Sequence, residues 1–211
     1  MAHQEPSRTA ARADLARLLA ACYYEPGPEF AEERVFDAMR EAAANVDTAL
    51  ADVAERIGRG FAATDGDELL VDYTRLFLGP VDILAKPYGS VWLDADAPLM
   101  GDSTMAVLQH YEDAGFEVDE GFRDLQDHIA VELEFLYVLL FREAEAHLRH
   151  DTATLAGLTR MRLRFLADHL GQWVSPFAAA VATGAMTHYY RDLAELTAQF
   201  VELEAERTDS H

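Results

Sequence analysis

The sequence predicts an all-α protein, a single-domain helical bundle of about eight to ten helices with one long ordered loop. Apolar residues recur at helical spacing in most segments, and no segment alternates apolar and polar residues over strand length. Short glycine and proline breakers separate the helical segments. Half of the 211 residues are hydrophobic, which is enough for one sizeable core, so we expect a single domain over residues 1–211.

Capping residues and breakers bound four predicted helices before residue 80. Asp65-Gly66-Asp67 is a turn whose first aspartate suits a helix N-cap, and Gly79-Pro80 ends the helix that follows. The four helices run from Ser7 or Thr9 to the break at Pro26-Gly27-Pro28, over about 29–44, over about 47–61, and from Glu68 to Leu78.

Residues 79–101 have no helical period, and glycines and prolines stand at the joints of this segment. A loop of about twenty residues is uncommon inside a compact domain and is often functional. Its large apolar side chains argue against a free linker, so we expect it to be ordered by contacts with the predicted central helix, about 122–150. Ser90-Val91-Trp92-Leu93 is expected to be briefly extended, with Trp92 mostly buried and Tyr88 partly exposed.

The second half of the chain contains the longest predicted helix and an apolar stripe typical of core packing. That stripe places apolar residues at alternating spacings of four and three near the C-terminus. The predicted helices run from Asp102 or Ser103 to about Gly115, from about Phe122 to His150, from Thr152 to about Gly171, and, after a short segment around Pro176, through Tyr189, Leu193, Leu196, Phe200 and Leu203.

The central helix, about 122–150, carries the most informative stretch of the sequence. Tyr137 to Phe141 is apolar on almost every face, so the helix should be buried. Yet Asp127, His128, Glu132 and Glu134 place four ionisable side chains at its start. Unpaired buried charge is costly, so this group must be paired, solvent-lined or ligand-facing. Helical spacing would place His128 and Glu132 on one face.

The charge of the chain excludes some partners and favours others. With 17 basic and 38 acidic residues, the formal net charge is −21, which repels a phosphate backbone and attracts a basic peptide. We therefore expect no nucleic acid partner. Lys86 is the only lysine, and adaptation to a salt-rich cytosol would give the same composition.

Cysteine content and hydropathy indicate the compartment. Cys22 is the only cysteine, so no internal disulfide forms, and its neighbours predict a small core residue. No apolar run is long enough to span a bilayer, and no hydrophobic signal core follows the N-terminus. These observations predict a cytoplasmic protein without a membrane span.

The motifs of several chemistries are missing from the sequence. No histidine has a glutamate three residues before it, as di-metal carboxylate bundles require, and no phosphate-binding glycine loop or nucleophile elbow occurs. We therefore expect no catalytic residue, metal or cofactor. A helical metal-dependent enzyme that uses the Asp/His/Glu group of the central helix is the alternative interpretation.

Three separated blocks of the sequence carry a family resemblance. They are Tyr73-Thr74-Arg75-Leu76-Phe77-Leu78-Gly79-Pro80 with Lys86-Pro87-Tyr88-Gly89-Ser90-Val91-Trp92-Leu93, Leu99 to Thr104 leading to Tyr111-Glu112-Asp113-Ala114-Gly115, and Asp127-His128-Ile129-Ala130 with Glu132-Leu133-Glu134-Phe135. Weaker matches are His169, Trp173 and Phe177, spaced by four, and the Tyr189-Tyr190 pair. In this order the blocks resemble TorD/DmsD-type redox-enzyme maturation chaperones. Residues before 70 match only in pattern.

The resemblance implies a cytosolic chaperone that binds the twin-arginine signal peptide of a molybdenum-cofactor oxidoreductase. It would hold the apo-enzyme until cofactor insertion and export, as a monomer or a helix-exchanged dimer. Apolar walls would suit the hydrophobic stretch of the peptide, and carboxylates would suit its arginines. The residues implied to line the groove are Tyr73, Leu76, Phe77, Pro87, Tyr88, Ser90, Asp127, His128, Glu132 and Glu134. For Leu76 and Phe77 a core position is the stronger expectation, and Glu132 and Glu134 stay open between ligand contact and internal hydrogen bonding.

Overall fold

Every regular element in the computed structural model is a helix among the residues that it describes, 4–79, 82–94, 101–118 and 124–207. Two π-helical turns extend this set, Thr74–Leu78 directly after α5 and Leu166–Leu170 between α9 and α10. The helices are α1 Gln4–Ala21, α2 Glu29–Glu32, α3 Val35–Val46, α4 Thr48–Ala63, α5 Gly66–Tyr73, α6 Gly89–Leu93, α7 Asp102–Ala114, α8 Ile129–Leu148, α9 Thr152–Phe165, α10 Gly171–Gly184 and α11 His188–Glu206. The predicted all-α fold class is confirmed.

Helix α8 lies at the centre of the bundle, between α1 and α9. A second layer is built by α11, which packs on α4 and α10, while α3 bridges α1 and α4. One hydrophobic cluster runs through these helices, and its fully buried large side chains include Trp173, Phe135 and Phe177. Within the described part of the chain, no helix is long and apolar enough to cross a membrane.

Side-chain caps fix where several helices begin. Asp47, Asp65 and Asp151 each accept a backbone N–H from the first turn of α4, α5 and α9, and Thr187 does the same for α11. Each bond satisfies a donor that the helix itself leaves unpaired. The cap predicted at Asp65 is therefore confirmed.

A buried ionic network ties together α1, α8, α9 and α11. Arg12 donates to both carboxylate oxygens of Glu204, at 2.7 and 2.5 Å. Arg162 donates to Glu143 at 2.9 Å and to the Glu204 backbone carbonyl at 3.0 Å. All four side chains are buried. We call these residues, Arg12, Glu143, Arg162 and Glu204, the buried arginine network.

The central helix begins later than the sequence predicts. It starts at Ile129 rather than near Phe122, and Phe122 itself falls in 119–123, outside the described residues. His128 is the N-cap, with an extended backbone and a side chain that accepts the Ala130 N–H. The expectation that His128 and Glu132 share a helical face is therefore wrong, because a capping imidazole folds back onto the first turn.

Two expectations about local secondary structure are also wrong. Ser90 to Leu93 is not extended but lies in the short helix α6. Five residues are too few to show a helical period in the sequence. Pro176, expected in a short separate segment, lies inside α10 at an exposed position. The buried face of α10, with Trp173, Phe177 and Val181, holds the helix together across the proline.

Candidate functional site

The loop before α6 is paired through its backbone with the start of α8. The Gly89 N–H donates to the Asp127 carbonyl at 2.8 Å, and the Ile129 N–H donates to the Pro87 carbonyl at 2.8 Å. Tyr88 and His128 thereby form an isolated antiparallel bridge. The expected ordering of this loop against the central helix is confirmed for residues 82–94. Residues 80, 81 and 95–100 of the predicted loop lie outside the described residues.

The Asp127 side chain anchors the loop before α6. It is fully buried, accepts the Ser90 N–H on Oδ2 at 2.8 Å and accepts the Thr104 hydroxyl at 3.4 Å. Its Oδ1 atom and the Ser90 hydroxyl have no hydrogen-bond partner among the described residues. Of the alternatives that the sequence left open for the polar group, Asp127 is paired and buried rather than lined by solvent. The loop and α7 lie over the start of α8 and close it off from solvent.

His128 is buried as well, at 6% exposure, and contributes an aromatic ring rather than a charge. Its Nδ1 accepts the Ala130 N–H at 3.1 Å, so the ring proton is on Nε2. Burial lowers the pKa of His128 to about 4, although Asp124 and Asp127 oppose this shift. The ring is therefore neutral at pH 7. It stacks on Tyr24 at 6.3 Å between centroids and meets the edge of Tyr88 at 5.6 Å.

Two half-buried tyrosines on either side of His128 each lie beside a carboxylate. The Tyr24 hydroxyl donates to Glu134 Oε1 at 2.9 Å. Burial and then the adjacent Glu134 carboxylate raise the pKa of Tyr24, and burial followed by the nearby Asp124 carboxylate raises the pKa of Tyr88. We call these residues, Tyr24, Tyr88, Asp124, His128 and Glu134, the tyrosine–carboxylate cluster.

The carboxylates of this cluster have no cationic partner among the described residues. The ion pairs found there involve neither Asp124 nor Glu134. Asp124 is exposed and Glu134 is half-buried, and burial raises the pKa of Glu134 while the Tyr24 hydroxyl opposes the rise. The cluster therefore presents negative charge beside aromatic rings, an arrangement that suits a guanidinium group.

Tyr73 is a buried residue next to the tyrosine–carboxylate cluster. Burial and then the charges of Glu25 and Asp124 raise the pKa of Tyr73. The ring packs on Phe77 at 5.4 Å. Phe77 and Leu76 are core residues, at 2% and 0% exposure. For these two positions the structure matches the core alternative.

Glu132 is the buried anchor beneath α6. It accepts the Trp173 indole N–H at 3.1 Å and pairs with His169 Nε2 at 2.9 Å. Burial lowers the pKa of His169, but the Glu132 carboxylate outweighs burial and the net pKa is raised. A Cβ atom on Gly89 would lie 3.0 to 3.1 Å from these three side chains. Glycine is therefore needed for the close approach of the loop.

The structure brings most of the ten predicted site residues to one end of α8. Pro87, Tyr88, Ser90, Asp127 and His128 join there through the backbone, Glu134 and Tyr73 flank them, and Leu76, Phe77 and Glu132 lie in the interior. Tyr88 is partly exposed, as predicted, and Trp92 is partly buried against Phe177. A peptide-binding role for these residues stays a prediction.

Sequence reasoning missed Tyr24 and Asp124. Tyr24 follows the end of α1, where Tyr23-Tyr24-Glu25-Pro26 shows an aromatic pair before a helix-ending proline. That pattern is a weak signal for an aromatic side chain left at the surface. No pattern in the sequence marks Asp124 as a candidate site residue. Among the described residues, no group of three or more His, Cys, Asp or Glu side chains is placed to hold a metal ion.

Comparisons with known proteins agree with this architecture. A sequence model of the family described as nitrate reductase delta subunit matches residues 37–179. The chain is 32% identical over 124 residues to the Tat proofreading chaperone DmsD of Salmonella typhimurium, covering 59% of this chain and 54% of the relative. It is 29% identical over 150 residues to the chaperone protein TorD of Shewanella pealeana, covering 68% and 62%.

A solved structure shares the fold. It is described as that of a redox enzyme maturation protein from Archaeoglobus fulgidus, with a TM-score of 0.53 and 18% identity, covering 92% of this chain and 93% of the other. By contrast, the alignments to DmsD and TorD span only about half to three fifths of those relatives' own lengths. The chain belongs to the nitrate reductase delta subunit family, and its predicted resemblance to TorD/DmsD-type redox-enzyme maturation chaperones is confirmed.

Proposed function

We propose that this protein is a cytoplasmic chaperone that binds the twin-arginine leader peptide of a molybdenum-cofactor oxidoreductase and holds the apo-enzyme until the cofactor is inserted. The observation that carries the proposal is the tyrosine–carboxylate cluster. Glu134 is held by the Tyr24 hydroxyl, Asp124 lies beside Tyr88, and neither carboxylate has a cation among the described residues. The relatives' names, Tat proofreading chaperone and chaperone protein TorD, support the same role.

The cluster provides both kinds of contact that an arginine uses. A carboxylate accepts two parallel N–H bonds from a guanidinium, and such charge-assisted bonds are about twice as strong as neutral ones. Tyr24 and Tyr88 offer ring surfaces on which the planar guanidinium stacks. Because Asp124 and Glu134 lie on either side of the His128 ring, the cluster can bind two neighbouring arginines. His128 stays neutral and does not repel them.

The buried residues position the cluster and do not themselves contact the peptide. Asp127 holds the loop through Ser90, and the backbone bonds of Pro87 and Gly89 fix Tyr88 beside His128. The net charge of −21 draws a basic peptide toward the protein, and salt screens that attraction with a Debye length of roughly 8–10 Å near 0.1 M. Affinity should therefore weaken as salt rises.

The test joins a pull-down to calorimetry. The tagged protein is used to capture precursors from its own cells, and a synthetic copy of the captured leader is titrated against wild type and Asp124→Asn/Glu134→Gln. Loss of charge-assisted bonds should weaken binding about ten- to a hundredfold. The matched control is Asp37→Asn/Glu55→Gln, which removes two exposed acids on α3 and α4.

The controls decide the interpretation. The control variant should bind as wild type does, and both variants should keep their helical circular dichroism and melting temperature. Equal affinity of the Asp124/Glu134 variant and wild type would show that the arginines bind elsewhere. No capture of any twin-arginine precursor, or no heat from wild type with a captured leader at high micromolar concentration, would reject the proposed function itself.

A further inference from the structure

The outward face of α8 carries four apolar side chains between and beyond two glutamates, Glu134 and Glu145. Residues on a helix lie about 100° apart, so Glu134, Tyr137, Val138, Phe141, Glu145 and Leu148 share one stripe about 100° wide. The opposite face, with Glu132, Leu136 and Glu143, is buried. The stretch from Tyr137 to Phe141 looks apolar on every face in the sequence because this outward stripe is apolar too.

The stripe is open rather than covered. Phe141 is 47% exposed and Leu148 is 70% exposed, while Tyr137 and Val138 are half-buried. The Tyr137 and Phe141 rings pack on each other at 5.9 Å between centroids and form one aromatic surface. Exposed apolar side chains that line up on one helix face mark a binding surface more often than isolated ones do.

The stripe is continuous with the tyrosine–carboxylate cluster. Glu134, which accepts the Tyr24 hydroxyl, is the first residue of the stripe, and Tyr137 stands one turn further along α8. A ligand that places its cations at the cluster thus meets the apolar surface directly beyond them. A signal peptide has this order of chemistry, a positively charged region followed by about 7–15 apolar residues.

Length and charge fit the same ligand. From Glu134 to Leu148 the helix rises about 21 Å at 1.5 Å per residue, and an apolar helix of about 7–15 residues is roughly 10–22 Å long. A second copy of this chain fits less well, since each copy carries a net charge of −21 and would repel the other. A basic peptide is attracted instead.

We infer that the outward face of α8 binds the apolar segment of the leader peptide, which runs from the tyrosine–carboxylate cluster toward Leu148. The inference rests on the proposed function, because the cluster fixes the arginines and hence the direction of the peptide. Binding of an apolar helix to an apolar helix face follows the spacing of three and four residues that Tyr137, Val138 and Phe141 show.

Two labelled peptides test the inference by fluorescence anisotropy. The long peptide has two adjacent arginines followed by about twelve leucine and alanine residues, and the short peptide ends after the arginine region. Wild type should bind the long peptide at least about tenfold more tightly. Tyr137→Ser/Phe141→Ser should weaken the long peptide about tenfold and leave the short peptide within about twofold.

The control is Met161→Ser, a partly exposed apolar residue on α9. Its neighbour Arg162 bonds Glu143 on the opposite face of α8, so the change should affect neither peptide. Equal binding of long and short peptides would overturn the inference and leave the proposed function standing. Failure of wild type to bind either peptide would overturn both. Self-association that disappears only in the Tyr137/Phe141 variant would identify the face as a contact between copies and also overturn the inference.

Discussion

Two glutamates of α8 are held in opposite ways. In the C-terminal half, Glu143 is buried and bonded by Arg162, within a network that also holds Glu204 and Arg12. In the N-terminal half, Glu132 is buried and pairs with His169, whereas Glu134 is half-buried and receives only the hydroxyl of Tyr24. Glu143 is thus bonded by an arginine of the same chain, and Glu134 has no cation within the described residues.

The chemistry of the two donors explains why this difference matters. A guanidinium neutralises a carboxylate and occupies both of its oxygens, whereas a tyrosine hydroxyl donates one bond and leaves the charge in place. The network is therefore complete without a partner. Under the proposed function, the tyrosine–carboxylate cluster is stabilised when an arginine of the leader peptide binds. The comparison then separates Glu143, an acid that stabilises the fold, from Glu134, an acid proposed to bind the peptide.

The largest effect should come from breaking the network. Glu204→Ala removes the buried carboxylate that Arg12 bonds and one contact of Arg162, so the free energy of unfolding should fall by about 3–5 kcal/mol. Urea denaturation measures this loss. Glu195→Ala, on the same helix, breaks an exposed pair with Arg56 and an exposed hydrogen bond from Gln199, and should cost below about 1 kcal/mol. Similar losses in both variants would mean that burial does not distinguish these pairs.

A pH titration should show that the stability of the protein depends on a neutral His128 ring at the N-terminal end of α8. The pKa of His128 is about 4 in the fold and about 6.5 when unfolded, so below pH 6.5 the unfolded chain binds the extra proton. This contribution to stability is complete above pH 6.5 and is lost as pH falls toward 4, by about 3 kcal/mol in total.

Melting of wild type and His128→Asn between pH 7 and pH 4 checks the size of this contribution. Asparagine is a good N-cap and does not titrate, so the variant should lose about 3 kcal/mol less than wild type over this range. His169 has the opposite sign. Its pKa is raised, so its contribution is present at low pH and is lost as pH rises through the folded value. Parallel pH curves for wild type and His128→Asn would contradict the assignment of a neutral ring.

The smallest effect should come from the loop that carries Tyr88. Gly89→Ala places a Cβ atom 3.0 Å from Glu132 and from Trp173, and overpacking of this kind costs about 1–3 kcal/mol. Gly66→Ala is the matched control, since a Cβ atom there meets nothing within 4 Å. Thermal melting compares the two variants. A Gly89→Ala protein as stable as the control would show that the loop can shift away from α8 without cost.

Much of the fold follows from local patterns in the sequence. The cap at Asp65 and the apolar stripe of α11 predicted two helices, because both signals lie within a few residues of the element that they define. The short helix α6 and the late start of α8 could not be predicted in this way. Both involve contacts with Asp127, which bonds Ser90 from 37 residues further along the chain and also bonds Gly89.

Part of the candidate site was predicted from the blocks that carry the family resemblance, and residues outside those blocks were missed. The resemblance supplied Tyr88 and His128, and the backbone bridge between them shows why they belong together. Tyr24 reaches Glu134 across 110 residues, a pairing that no periodicity encodes. Similarly, His169 and Trp173 are four residues apart and so share a face, but their common partner Glu132 is known only from the packing of α8 against α10.

The bond between Arg12 and Glu204 also constrains when the core can form while the protein is being synthesised. The two residues are 192 positions apart, so a ribosome working at about 5–20 residues per second needs roughly 10–40 s to make the second after the first. Throughout that interval α1 has no carboxylate of α11 to neutralise its buried guanidinium, and the central layer stays incomplete. The nascent chain therefore closes its core late, and a factor that shelters unfinished chains has that long to act on it.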